Sequence, residues 1–273
     1  MRKVLAPLAG GALALALLTP VYAQEAAGQE TQEAAPSYIV VTALEVAPPD
    51  AEAFADLVRD VRTAAEAADL PAEFRWDMYR KDDVFYLVSW RPDMASFDDP
   101  EAFMRAFQGT PQASRVQAAM ERAQGLRVTA RSSVSRSVPE WSYMPASAVL
   151  AEGEHGGVFV ISNWTAGSEE AYDASTKAIM AMLGEIGYPY PVFVSRVILG
   201  EETVDFAIPF DTPGNFYGQH SVFALLEQAG RTADWESLMG ERRSLLARTE
   251  TLMVFYAPEL SYRPDLSMAG EGS

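Results

Sequence analysis

The sequence predicts an α+β protein built as two tandem copies of one domain, each ordered β-α-β-β-α-β. Three observations predict this. Pro139-Glu140-Trp141-Ser142-Tyr143-Met144-Pro145 returns 119 residues later as Pro258-Glu259-Leu260-Ser261-Tyr262-Arg263-Pro264, with five of seven positions identical. A period of that length matches a whole small domain and exceeds a solenoid unit. The same spacing roughly superposes Leu70-Pro71 on Tyr188-Pro189, and the hairpin acids Asp82-Asp83 on Glu201-Glu202. Finally, strand-like and helix-like apolar spacings alternate in the same order in both halves.

In the first half, Ile39 to Leu44 is an apolar run read as a strand. Pro49 and Asp50 open a helix, because Phe54, Leu57, Val58, Val61, Ala65 and Ala68 then recur on one face. Pro71 ends it. Phe74, Trp76 and Met78 alternate with Arg75, Asp77 and Tyr79, and the turn Arg80 to Asp83 leads into Val84 to Trp90, which completes a hairpin. Two helical segments, 100–107 and 112–124, precede an alternating strand from Val128 to Val138.

The second half repeats that order. Val158 to Trp164 reads as a strand, and a helix from Ser168 aligns Tyr172, Ile179, Leu183 and Ile186. Pro191 to Leu199 and Thr203 to Pro209 form a hairpin around Gly200-Glu201-Glu202. Helical segments near 221–228 and 233–246 lead to a closing strand, Thr249 to Ala257. Each half is therefore read as ferredoxin-like, an antiparallel sheet with helices on one face. This element order, with the repeated Pro-Glu-x-Ser-Tyr-x-Pro ending, resembles the dimeric α+β barrel superfamily. The resemblance implies that the two antiparallel sheets pair face to face within the chain as a barrel.

The first residues read as an address. Arg2-Lys3, an apolar run from Val4 to Leu18 and Val21-Tyr22-Ala23 fit a secretory signal over residues 1–23. The run is too short to favour a membrane span, so export to the periplasm is expected, with no membrane insertion after cleavage. Residues 24–37, rich in Ala, Gln and Glu, read as a disordered spacer. The domains then run 38–145 and 158–264, joined by a linker at 146–157 and followed by a disordered tail at 265–273. With no cysteine there are no disulfide staples, thiolate nucleophiles or thiolate ligands. A formal charge of −17 repels nucleic acid and anionic lipid, so neither is an expected partner.

One face of each sheet must meet helices. On the other face the alternation predicts Arg75, Asp77, Tyr79, Thr129, Arg131 and Ser133 in the first domain. In the second it predicts Val194, Arg196, Ile198, Asp205, Thr249, Thr251 and Met253. Charges buried there persist only when paired, so Arg–Asp pairs are expected. Of two histidines, His155 falls in the linker and reads as a surface residue. His220 follows Asn215-Phe216-Tyr217-Gly218-Gln219 in a loop and suits a pocket wall. Two distant histidines without cysteine give no zinc spacing, so no metal is expected. Neither a Gly-x-Ser-x-Gly motif nor a phosphate loop is present in the mature sequence. The repeated Ser-Tyr pairs read as anchors clamping the end of each domain.

Catalytic residues stay unassigned. The candidate ligand-binding residues are Asn163, Trp164, Arg196, Tyr217 and His220, and no cofactor is expected. The working expectation is a non-enzymatic module that binds a small molecule or a periplasmic protein; a homodimer is compatible with it. The resemblance implies an alternative. Some members of the superfamily are cofactor-independent monooxygenases that arrange Asn, Trp and Tyr around a flat aromatic substrate. Trp76, Trp90, Asn163, Trp164, Tyr172 and Tyr217 are the comparable types here. Other members bind haem through a histidine, for which His220 is the better candidate.

Overall fold

The computed structural model describes residues 38–99, 101–145, 155–200 and 203–264. The signal, the spacer, Glu201-Glu202, most of the linker and the tail lie outside the described residues. The described chain divides into two compact units, 38–133 with 257–264, and 134–256.

The first unit contains β1 (Tyr38–Val46), α1 (Ala51–Ala67), β2 (Trp76–Lys81), β3 (Val84–Arg91), α2 (Ala102–Ala106), α3 (Ala113–Ala123) and the first half of β4 (Val128–Ser137). β3 lies between β1 and β2, antiparallel to both, with Leu44 opposite Phe85 and Met78 opposite Leu87. Directly opposed residues share a face, so Leu44, Phe85, Leu87, Met78 and Trp76 all point at the helices. There they meet Phe54, Leu57, Val58 and Val61 of α1 and Val116 and Ala119 of α3 in one buried core. The apolar stripe read for α1 is the one that is buried.

The second unit contains β5 (Gly156–Trp164), α4 (Glu169–Glu185), β6 (Phe193–Leu199), β7 (Val204–Phe210), α5 (Pro213–Tyr217), α6 (Val222–Ala229), α7 (Thr232–Leu245) and β8 (Leu246–Tyr256). Its strand order is β8-β5-β7-β6, antiparallel throughout, continued by the second half of β4 beside β6. Val158, Val194, Val204, Phe206 and Phe210 meet Tyr172, Ile179 and Leu183 of α4 and Leu226 of α6 in a second core. α6 begins where the Ser221 hydroxyl accepts from the Ala224 amide, and it stops at Gly230, whose φ of +66° suits glycine. The segment read as a loop before His220 contains α5, opened by Pro213 and capped by the Thr212 hydroxyl.

The unit boundaries differ from the domain limits read at 38–145 and 158–264, because the repeated endings are exchanged. Ser261 accepts the Met78 amide (2.8 Å) and donates to the Ala257 carbonyl (2.9 Å), while Tyr262 bridges Trp76. Its ring is 2% exposed, and its hydroxyl donates to the Leu70 carbonyl. The ending at the C-terminus is thus an edge of the first unit's sheet. In the second unit, Ser142 accepts the Val194 amide (2.9 Å) and donates to the Val138 carbonyl (3.0 Å). Tyr143 bridges Val192 and donates to the Tyr188 carbonyl (2.8 Å). The two endings make the same contacts, each on the half to which its sequence position did not assign it. They are anchors, as read, but each clamps the other half.

Close approach is tightest at Gly156, which faces the ring of Phe210; a Cβ there would fall 2.1 Å from that ring. Phe210 is 1% exposed and has no room to yield. Gly156→Ala should therefore lower stability by about 1–3 kcal/mol, read from the urea midpoint. Gly240→Ala, within α7 and with nothing within 4 Å, should instead add about 0.5–1 kcal/mol.

Candidate functional site

All five predicted residues belong to the second unit, yet they do not converge. Trp164 and Arg196 meet on the helix side. The Arg196 guanidinium lies 5.0 Å from the Trp141 ring and 5.2 Å from the Trp164 ring, and donates to Glu169 (2.8 Å) and Asp173 (3.3 Å) of α4. Two indole faces and two carboxylates lock it in place. Burial raises the pKa of Asp173, and the guanidinium opposes that rise. This arrangement ties β6 to α4. Arg196→Ala should cost about 1–3 kcal/mol, and Arg196→Lys should not recover it, since a lysine lacks the planar fork; urea titration of both variants reads this.

Tyr217 and His220 lie past the other end of the strands. His220 Nδ1 is 3.3 Å from the Tyr190 hydroxyl, which donates to Asp211 (2.6 Å). Asp211 also accepts from the Asn215 amide group (2.6 Å) and the Thr212 backbone amide (2.7 Å). Burial raises the Asp211 pKa, but these donors outweigh it and hold the carboxyl below its usual range. Burial, with Asp211 adding to it, pushes the Tyr190 phenol well above the ordinary tyrosine value. From Tyr190 to Arg196 the chain takes six steps of nearly extended backbone, roughly 20 Å. A pocket walled jointly by Trp164, Tyr217 and His220 is therefore not formed.

The haem reading can be tested on the same residues. A haem on His220 needs an apolar slot beside the imidazole. On its Nδ1 side His220 meets the Tyr190 ring (5.9 Å), which packs in turn on Phe216 (5.6 Å) and Tyr188 (5.6 Å). These contacts take up the Nδ1 side of the imidazole, so a haem would have to bind through Nε2. His155, read as a surface residue, stacks on Tyr256 at 4.4 Å. Among the described residues, no cluster of three or more His, Asp or Glu is placed to hold a metal ion, and no helix is long and apolar enough to cross a membrane.

Asn163 lies on the opposite face of the sheet from Trp164, the face free of helices. Cross-strand register defines that face: Asn163 opposes Arg248, Ile161 opposes both Glu250 and Asp205, Phe159 opposes Ala207 and Leu252, and Ser195 opposes Asp205. Of the seven residues read for this face, only Asp205 lies on it. Val194 is in the helix-side core and Arg196 is bound to α4. Thr249, Thr251 and Met253 oppose Ser162, Val160 and Val158, and so share the helix side. A frame shifted by one residue inverts a whole strand. In the first unit, Asp77 does lie on the helix-free face, and it is ion-paired to Arg263 from the exchanged ending.

Asp205 was read for this face but not counted among the candidate binding residues. Its carboxylate accepts from the Thr203 hydroxyl (3.0 Å) and the Ser135 hydroxyl (3.4 Å). Among the described residues no cation pairs with it. Burial raises its pKa, with the two hydroxyls pulling the other way. Its flanks are mixed: Ile161 and Ser195 oppose it directly, with Val197, Phe159, Ala207 and Leu252 on neighbouring rows and Glu250 beyond Ile161. The signal was present as Val204, Phe206 and Ile208 alternating around one acid. A carboxyl so placed favours taking up a proton.

No protein-family model and no curated protein matches the sequence. Solved structures do resemble it. A "putative monooxygenase" from Fusobacterium nucleatum superposes with a TM-score of 0.51 at 7% identity, covering 81% of this chain and 93% of that one. A second "putative monooxygenase", from Lactobacillus acidophilus, gives 0.49 at 8% identity over 84% and 97%. Chlorite dismutase from Candidatus Nitrospira defluvii gives 0.46 at 10% identity over 84% and 93%. The Fusobacterium protein carries an enzyme name, and the expectation of a non-enzymatic binding module is corrected on that ground; the enzyme alternative is taken up below as a proposal. The chain has a mixed α+β fold of antiparallel strands with helices, and at the level of fold it resembles the dimeric α+β barrel superfamily.

Proposed function

We propose that this protein is a cofactor-independent monooxygenase of the dimeric α+β barrel type, acting on a flat aromatic substrate. The observation that carries this reading is Asp205, a half-buried carboxyl that no cation among the described residues pairs with, set on the helix-free sheet face beside Ile161. Oxygenation without a cofactor requires the substrate to supply all the electrons. A methylene next to a carbonyl or an aromatic ring does so: R2CH2 and O2 give R2C=O and water. The first step is loss of an acidic C–H or O–H proton, and Asp205 is the group placed to accept it. Asn163, on the same face, is the candidate for holding a substrate oxygen. The strand order β8-β5-β7-β6 supports reading the second unit as ferredoxin-like; the same reading of the first unit, and pairing of the two sheets as an intrachain barrel, belong to this proposal. So do export to the periplasm, which the pattern at residues 1–23 supports, and homodimer formation.

The test is oxygen uptake by the purified protein, in chelator and without added flavin, on fused-ring phenols and ketones with acidic C–H bonds. Consumption of one O2 per product, with one atom of 18O2 entering that product, is the expected result. Asp205→Asn should remove it. Turnover unchanged in Asp205→Asn would remove the assigned base, and a protein inert across the panel would overturn the oxygenase reading.

A further inference from the structure

We infer that the first unit holds a second site, independent of the oxygenase reading: a buried receptor for a small carboxylate, formed by Arg91 and Ser89 at the end of β3. The two residues are next-but-one on a strand, so their side chains leave the same face, the one that carries Leu87, Trp76 and the helices. Arg91 is 3% exposed and Ser89 is 6% exposed. The Nε of Arg91 and the hydroxyl of Ser89 are both buried without a hydrogen-bond partner among the described residues. One Nη of Arg91 donates to the Trp90 carbonyl at 3.0 Å, and no described carboxylate pairs with the guanidinium. Burial lowers the Arg91 pKa to about 10.

An arginine buried without a counter-charge is costly, and an unsatisfied hydroxyl beside it adds to that cost. Proteins leave such groups in place where something binds them. A single carboxylate satisfies both at once, one oxygen accepting from Nε–H and the other from the serine hydroxyl. The site is small. Ser89 lies between Val40 of β1 and Trp76 of β2, and Trp76 is covered by Phe103 (6.0 Å) and Tyr262 (5.2 Å). That enclosure selects a carboxylate the size of formate or acetate over a bulky dianion. Contrast Arg242 in the second unit, also buried (5% exposed) and also without a carboxylate among the described residues. Its guanidinium is already engaged by Tyr172 (2.7 Å) and Thr176 (3.0 Å) and stacked on the Tyr172 and Phe206 rings. Arg242 therefore offers nothing to a ligand, whereas Arg91 does.

The experiment is a titration of the full-length protein with formate and acetate, against chloride at equal ionic strength and against sulfate. It is read by the Nε–H resonance of Arg91 and by the melting temperature. Formate or acetate should shift the resonance saturably and raise the melting temperature by about 2 °C or more near saturation; chloride and sulfate should do neither. Ser89→Ala should weaken the response several-fold, and Arg91→Lys, which keeps a charge but loses Nε, should abolish it. A resonance that formate and acetate leave unmoved overturns the proposal without reliance on any variant. So does a resonance that moves only in Glu30→Gln or Glu33→Gln, which assigns the carboxylate to the chain itself.

Discussion

Ending the chain at Tyr256 should unfold the first unit, although the deleted residues come last and nearly all of that unit precedes Ser133. The exchanged ending supplies Leu260 (1% exposed) and Tyr262 (2% exposed) to the first core. Each buried side chain of that size is worth about 1.5–3 kcal/mol. Deletion also strands the Trp76 indole N–H, which donates to the Leu260 carbonyl at 2.8 Å, and the Met78 amide, bound to Ser261. Each unsatisfied buried donor costs about 1–3 kcal/mol. Asp77, whose side chain is 3% exposed, loses Arg263; breaking a buried pair costs about 3–5 kcal/mol. Together these losses reach the 5–15 kcal/mol that holds an ordinary domain together. Hydrogen exchange followed by peptide mapping reads the outcome. Peptides from β1, β2 and β3 should lose protection while those from β5 and β7 keep it. Tyr262→Phe and Tyr143→Phe, which remove the equivalent hydroxyl bonds to Leu70 and Tyr188, should each cost about 1 kcal/mol, and each in its own unit. Protection retained in β2 after truncation would mean that the ending is not the clamp described.

How far the sequence carried this fold depends on which interactions are local. The α1 stripe and the alternation of Trp76 and Met78 are properties of consecutive residues, and they emerged as read. The repeated heptapeptide announced two equivalent anchors, because identical chemistry needs identical neighbours. It could not announce which half each would clamp, since the Ser-Tyr bonds go to backbone groups that every residue possesses. The site was less legible. Arg196 looked available because a lone arginine on a strand shows neither Trp141 above it nor Glu169 and Asp173 beside it, and these come from two other segments. Thr249, Thr251 and Met253 were assigned to the wrong face because the alternation of β8 reads equally well in either frame. Only pairing with Ser162, Val160 and Val158 fixes the frame.

Asp205→Asn should make the protein more stable and inactive at once. Asparagine keeps an oxygen for one of the Thr203 and Ser135 hydroxyls and turns its NH2 to the other, which can accept, and it removes the charge that burial disfavours, a gain of about 1 kcal/mol. That corresponds to a rise of about 4 °C in melting temperature for a unit of this size. Loss of a general base typically costs 10²–10⁴-fold in rate, so turnover should fall by about that much. The pH dependence has a fixed sign. The folded Asp205 pKa lies above its ordinary value of 3.8, so between that value and the raised one the folded state binds more protons than the unfolded state. Stability contributed by this group is therefore present below pH 3.8 and declines as pH rises through the folded value. Urea titrations from acid to neutral pH should show the wild type losing stability relative to Asp205→Asn across that window, the gap widening and then levelling. A destabilised Asp205→Asn, or a gap that does not change with pH, would show that the carboxylate is satisfied by a charge partner, and the case for Asp205 as a proton acceptor would fall with it. A stabilised variant that has lost turnover while keeping its substrate affinity is the signature of a group held in an unfavourable state for its chemistry.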